Sequence, residues 1–188
     1  SSNQYHPCVD VLSIFKLSDP HNSFKLLSPP KNINLSQKQK NWSPFEYNGR
    51  LLCEYSLEPH IILEININDG STSIIYSTGN HGRSITIFNS LRCGVPPILI
   101  SNDLFLGIGH ICSYHTIGYL HFFYTFESTP PFRLLNKSKP FKLDNDEKVQ
   151  FASGLSFYNN NIYISYGIND NDNRISSYNI NTILNLLQ

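Results

Sequence analysis

Short apolar runs separated by turn residues set the pattern of this chain. Val11-Leu12-Ser13-Ile14-Phe15 and Phe24-Lys25-Leu26-Leu27 flank Asp19-Pro20-His21-Asn22, and Pro29-Pro30 closes the pair. Runs of this length bounded by Pro, Asn and Asp predict strands rather than helices. Residues 31–39 are polar and read as a loop. From Trp42 to Tyr47 a strand leads into Asn48-Gly49, which supplies the two positive-φ positions of a tight hairpin turn, and Leu51-Leu52-Cys53-Glu54-Tyr55 returns from it. Ile61-Ile62-Leu63-Glu64-Ile65-Asn66-Ile67 alternates over its second half, Asn68-Asp69-Gly70 turns, and Ser73-Ile74-Ile75-Tyr76 gives a fourth strand. Four short antiparallel strands are therefore expected between about residues 42 and 77, followed by a loop at 79–84.

The pattern then returns. Pro97-Ile98-Leu99-Ile100, the turn Asn102-Asp103, Leu104-Phe105-Leu106-Gly107-Ile108-Gly109-His110, Tyr119 to Phe126 and Phe132-Arg133-Leu134-Leu135 repeat the four-strand order. It starts a third time at Gly154-Leu155-Ser156-Phe157-Tyr158, turns at 159–161, and continues through Ile162 to Tyr166 and Arg174 to Tyr178. The turns at Asn48, Asn102 and Asn160 recur at intervals of 54 and 58 residues. A four-stranded unit returning at such a period predicts the blades of a β-propeller, because one small sheet cannot cover both of its faces and must stack on neighbours. The expected fold class is all-β, one domain over 1–188, with a partial blade at 9–30, a blade at 37–78, a blade at 90–142 and a partial blade at 150–183. The only helical expectation is a turn at 182–187. About three blades are accounted for, so the two ends share a blade or the ring is truncated; the truncated ring is the preferred reading.

Composition narrows the function classes. A chain of 188 residues supports one domain with a sizeable core. The formal net charge is zero, so no long-range field draws nucleic acid or an anionic membrane, and neither is expected as a partner. Cys8, Cys53, Cys93 and Cys112 form no C-x-x-C pair and read as buried free thiols of a reducing compartment, with a cytoplasmic location as the expectation. Sequons occur at Asn34, Asn41 and Asn136, a chance outcome in an asparagine-rich chain. No apolar run reaches the ~20 residues that span a bilayer. The absence of methionine means that Ser1 is not a translational start, and the chain reads as a processed product or a piece of something longer. His110, Cys112, His115 and His121 match no standard ligand spacing, and no metal is expected.

Candidate chemistry gathers in two polar clusters. Lys40-Asn41-Trp42-Ser43-Pro44-Phe45 and Glu58-Pro59-His60 bracket the hairpin, so Lys40 and His60 fall at matching ends of adjacent strands, where two cationic groups could grip an anion. The alternative is a surface lysine and a histidine satisfied by a backbone carbonyl. Glu58 could equally pair with Arg50 or a nearby lysine. Asp170, amid Asn169, Asn171, Asp172 and Asn173, reads by itself as a solvated turn. Trp42 and the aromatic run 122–126 fit the core better than a sugar-stacking platform.

Six pieces in order resemble the five-bladed propellers of glycoside hydrolase family 130, the β-mannoside phosphorylases and hydrolases, and the related β-1,2-mannosyltransferase/phosphorylases. They are the Lys40–Phe45 stretch, Tyr55-Ser56-Leu57-Glu58-Pro59-His60, Arg92-Cys93-Gly94-Val95-Pro96, Gly107-Ile108-Gly109-His110, Phe123-Tyr124-Thr125-Phe126 with Pro130-Pro131-Phe132, and Ser165-Tyr166-Gly167-Ile168-Asn169-Asp170. The resemblance implies a carbohydrate-active propeller that takes a β-mannoside or mannose 1-phosphate, by phosphorolysis or mannosyl transfer. Inorganic phosphate or a sugar phosphate would be the co-substrate, with no other cofactor. It implies phosphate ligation by Lys40, His60 and Arg92, and sugar contacts by Asp170, Asn41, Glu58, Tyr124 and His110, with Lys40, His60, Arg92 and Asp170 converging on a central hollow. Two departures cut against it. Cys93 and Val95 stand where the family commonly has glycines and a threonine, and the segments carrying the catalytic acid have no clear match, Asp19-Pro20-His21 lacking the arginine. The general acid is unidentified; Asp170, Glu58 and Glu54 are the carboxylates available. The second reading is a glycan-binding or structural propeller that has lost the acid. A homo-oligomer or larger assembly in which a partner closes the ring is a third.

Overall fold

The computed structural model describes residues 12–19, 21–30, 41–78, 91–113, 118–146 and 149–187. Among them the chain is almost entirely strand. A two-residue hairpin, β1 (Ser13–Ile14) and β2 (Lys25–Leu26), precedes sheet 1, made of β3 (Ser43–Tyr47), β4 (Arg50–Leu57), β5 (His60–Ile65) and β6 (Thr72–Ser77) in sequence order. Sheet 2 contains β7 (Leu91–Arg92), β8 (Ile98–Ser101), β9 (Leu104–Ser113), β10 (Gly118–Glu127) and β11 (Leu134–Lys137). Sheet 3 is β12 (Gln150–Tyr158), β13 (Asn161–Ile168) and β14 (Asp172–Asn179), followed by the helix α1 (Ile180–Asn185). Every pairing between these strands is antiparallel.

The turn chemistry sits where the sequence demands it. Asn48 and Gly49 have φ of 50° and 75°, and Asn159 and Asn160 have φ of 47° and 60°. These are left-handed positions that Gly tolerates freely and Asn more readily than most residues. The short helix is started by Asn179, whose side chain accepts a hydrogen bond from the Asn181 N–H.

The sheets stack face to face. Phe45, Leu52, Leu57 and Ile62 of sheet 1 pack against Phe105, Phe122, Tyr124, Phe126 and Phe132 on or beside sheet 2. The other face of sheet 2 presents Leu106, Ile108 and Phe123 to Ile162, Ile164, Tyr166 and Ile168 of sheet 3, with Ile183 of α1 closing the cluster. The outer face of sheet 1 carries Trp42, Cys53, Tyr55, Ile61, Leu63 and Ile65, against which Leu12 and Leu27 of the first hairpin pack. This is the radial stacking expected of propeller blades, and the described residues contain three such sheets.

Sheet 2 departs from the simple four-strand expectation. Its first edge is split: Arg92 pairs with His110 and Ile98 with Leu106, so five residues, 93–97, oppose only three, 107–109. The backbone excursion this forces carries Gly94 at φ 142°. On the partner strand, Gly107 and Gly109 lie directly across from Tyr124 and Phe122. A Cβ on Gly107 would fall inside the Tyr124 ring, and one on Gly109 would meet the Phe122 ring and the Arg92 carbonyl. The spaced glycines are thus the beds on which two rings lie.

Gly107→Ala is expected to cost ~1–3 kcal/mol through overpacking, and most of that cost should vanish in a Tyr124→Leu background. Gly49→Ala, with nothing within 4 Å of its Cβ but a φ of 75°, should cost ~1–2 kcal/mol in either background. Denaturant unfolding of the single and double variants checks the cycle.

Candidate functional site

Each blade-like sheet begins at the same end, and that end is where the polar candidates gather. β3, β7 and β12 are the first strands of sheets 1, 2 and 3; by register their starts lie beside the ends of β4, β9 and β13. Asn41, the Glu58–His60 turn, Arg92, His110 and the Asn169–Asp170 turn therefore all fall at one end of the stack.

The closest grouping is built around His110. Residues directly opposite in an antiparallel pair share a face, so Arg92, His110 and His121, paired in sequence across β7, β9 and β10, form one row. That row faces sheet 3, since His121 Nε2 accepts a hydrogen bond from the Ala152 N–H at 3.1 Å. His110 packs edge-on against Phe151 at 4.8 Å and Tyr119 at 5.6 Å between centroids, and Tyr119 meets Phe151 at 5.7 Å. From sheet 1, Asn41 Nδ2 lies 3.3 Å from His110 Nε2. Gly94 closes the group: a Cβ there would touch Phe151, Asn41 and His110 at 3.4–3.7 Å, and its N–H donates to Ser43 Oγ at 2.8 Å. His110 forms a buried floor, while Asn41, Arg92, Gly94, Tyr119 and Phe151 are half-exposed around it. Three sheets thus contribute to one small polar and aromatic surface suited to hydrogen-bonding and stacking against a polar ring.

The remaining candidates are not part of the His110 group. Lys40 falls outside the described residues. His60 is only 1% exposed and its ring points into the packing between sheets 1 and 2: Nε2 lies 3.1 Å from Glu54 Oε1, and the ring meets Phe126 and Tyr76. Tyr124 is fully buried in the same layer and donates to Glu54 Oε2 at 2.7 Å. Burial, followed by the charge of Glu54, pushes the Tyr124 phenol well above its usual range, so it serves as a fixed donor. Glu58 is exposed and pairs with Lys137 at 2.6 Å, whereas Arg50 pairs with Glu64. Asp170 occupies an exposed turn at φ 55°. The structure brings together Asn41, Arg92 and His110; it does not bring His60, Tyr124 or Glu58 to them.

Tyr119, Phe151 and Gly94 belong to the surface but were not singled out individually from sequence. The signal available for Gly94 was its place inside the Arg92 segment; for Phe151 there was none beyond its position at a strand start. Burial pushes the Cys53 and Cys93 thiols well above their usual range, and both are free and buried, as the spacing implied. Two concave regions, of about 480 and 280 Å³, line the turn end of sheet 1 (Arg50, Glu64, Asn66) and the gap beneath the first hairpin (Leu12, Trp42, Ile65) rather than the His110 group. Among the described residues no group of three or more His, Cys, Asp or Glu is placed to hold a metal ion, and no helix is long and apolar enough to cross a membrane.

Comparison with solved structures identifies the fold. The chain superposes on a β-1,2-mannobiose phosphorylase from Listeria innocua, solved in complex with β-1,2-mannobiose, with TM-score 0.55 and 18% identity over 79% of this chain and 46% of that one. It also matches a protein from Parabacteroides distasonis described as a glycoside hydrolase (TM-score 0.53, 17% identity, 73% of this chain and 50% of that one). A Bacteroides ovatus protein described in the same terms gives TM-score 0.52 at 12% identity, over 96% of this chain and 70% of that one. The Listeria enzyme is of the family that the six sequence pieces resemble, and at these identities the likeness is one of fold. The chain spans about half the length of the first two. No family model matches the sequence, and no curated protein matches it.

His121 sets the acid limit of this region. Burial, with a smaller contribution from His110, lowers its pKa from 6.5 to about 3. A depressed histidine leaves the folded state short of a proton that the unfolded chain takes up below 6.5, so its contribution is fully present above pH 6.5 and is lost as pH falls toward 3. Stability should drop over that window with a slope of up to ~1.4 kcal/mol per pH unit, and His121→Gln should remove this component. Urea unfolding at several pH values between 7 and 3.5 checks it; identical slopes in both proteins would refute it.

Proposed function

We propose that this chain is part of a carbohydrate-active propeller acting on β-linked mannosides, by phosphorolysis or by mannosyl transfer from a sugar phosphate, with the sugar held at the His110 surface. The observation that carries this reading is the meeting of Asn41, Arg92 and His110 with Tyr119 and Phe151 at the shared starting end of three radially stacked sheets. Asn41 and His110 offer directional hydrogen bonds to hydroxyls, the two rings offer apolar faces, and Arg92 offers a planar fork suited to two phosphate oxygens. The fold is shared with an enzyme whose bound ligand is β-1,2-mannobiose, which makes that disaccharide the first substrate to try.

Inverting attack by phosphate also needs an acid to protonate the leaving oxygen. Glu54 is locked between His60 and Tyr124, and Glu58 is turned outward onto Lys137, so neither serves. Of the three carboxylates considered, Asp170 alone remains, exposed and at the correct end of the stack. The engagement of Glu54 and Glu58 favours a second reading, a glycan-binding propeller without turnover.

Incubation of the protein with β-1,2-mannobiose and inorganic phosphate should release mannose 1-phosphate, and Arg92→Gln should reduce the rate at least tenfold, chiefly by raising KM for phosphate. Calorimetric binding of mannobiose without product supports the second reading. Neither binding nor turnover by a folded protein overturns both.

A further inference from the structure

A line of hydrogen-bonded polar side chains is buried between sheets 1 and 2, beside the surface just described. His60 Nε2 meets Glu54 Oε1 at 3.1 Å and Tyr124 Oη donates to Glu54 Oε2 at 2.7 Å. Cys93 packs with Tyr124 in the same buried cluster. Ser43 is the direct cross-strand partner of Glu54 and accepts the Gly94 N–H at 2.8 Å. Glu54 and Tyr124 are fully buried, and His60 and Cys93 nearly so. Apolar packing alone would not place a carboxylate here, because a buried carboxylate must recover its lost hydration from donors.

Beside the line lies a stretch of sheet 2 that has left its ladder. Residues 93–97 leave the β9 ladder between Arg92 and Ile98, and a Cβ added at Gly94 would come into contact with Asn41, His110 and Phe151. Sheet 1 anchors the excursion through the Ser43 hydroxyl, which accepts the Gly94 N–H, and Tyr124 packs beside Cys93 within sheet 2.

We propose that Glu54 is a positioning residue for the His110 surface: by fixing Tyr124, against which Cys93 packs, it holds the 93–97 excursion, and with it Arg92 and Gly94, in register with Asn41 and His110. Glu54 never touches the ligand. Its carboxylate accepts from two donors, one at each oxygen, whereas a glutamine, with one oxygen and one NH2, would have to reverse the direction of one of the two bonds. His60 is the back-stop of the line, presenting Nε2–H to Glu54 while Nδ1, buried, has no hydrogen-bond partner.

The inference rests on the proposed sugar surface for its functional consequence, but the tether can be read without any sugar. In Glu54→Gln, and separately in Tyr124→Phe, hydrogen–deuterium exchange at the Gly94 amide should accelerate at least tenfold while the amides of Ile162 and Ile164 in β13 keep their parent rates. The dissociation constant for β-1,2-mannobiose should weaken at least tenfold in the same samples. A general structural role would instead speed exchange at all core amides by a common factor and leave the dissociation constant of the folded fraction within twofold of the parent; that result overturns the proposal, as does unchanged Gly94 exchange in both variants. If the parent protein binds no mannobiose, the sugar reading fails while Gly94 exchange still decides the tether.

Discussion

Everything in this molecule depends on the need of small sheets to have both faces covered. The burial of successive residues shows it: from Leu52 to Leu57 in β4, and from His60 to Leu63 in β5, every residue is buried. A strand whose two faces are both buried cannot belong to an isolated sheet, since alternate side chains project to opposite sides. Sheet 1 therefore has to sit between the hairpin and sheet 2, and sheet 2 between sheets 1 and 3. β13 behaves differently, alternating half-exposed with buried along its whole length, because only one of its faces is covered by sheet 2. Stacking of this kind aligns the starting ends of successive sheets, so that residues far apart in sequence, Asn41, His110 and Phe151, become neighbours without any element being built to join them.

Much of this was legible in the sequence because turn chemistry is local. Asn48-Gly49 and Asn159-Asn160 specify positive φ at defined positions, and the runs between them are too short for anything but strands. The repeat spacing then gave the blades. The two-residue strand β7 and the excursion after it were not legible, because nothing local distinguishes five residues opposing three from an ordinary loop; the spaced glycines of β9 are the only trace, and they read as a motif rather than as beds for Tyr124 and Phe122.

Side-chain direction was the harder problem. Period two tells which residues share a face but not which neighbouring sheet covers it. His60 and Lys40 looked equivalent at matching strand ends, yet His60 carries the parity of Ile62 and so turns into the layer shared with Phe126. His110, on β9, carries the parity of Arg92 and His121 and faces the opposite layer. The same uncertainty hid Glu54, whose carboxylate is fully buried; from the sequence it was simply one of three available acids.

Among the described residues, the three buried histidines show how one residue type is put to separate uses by its partners. Glu54 accepts from His60, fixing the proton on Nε2; the Ala152 N–H donates to His121 Nε2 and Asn41 Nδ2 approaches His110 Nε2, fixing the proton on Nδ1 in both. His60 therefore acts as a donor inside a polar line, while His121 acts as an acceptor that stitches sheet 2 to the start of sheet 3. His110 meets a half-exposed residue, Asn41, at the rim. A ligand that competes for Asn41 would thus alter His110 directly, whereas the other two are shielded by intervening packing. That difference in surroundings, more than residue identity, sets His110 apart from the other two.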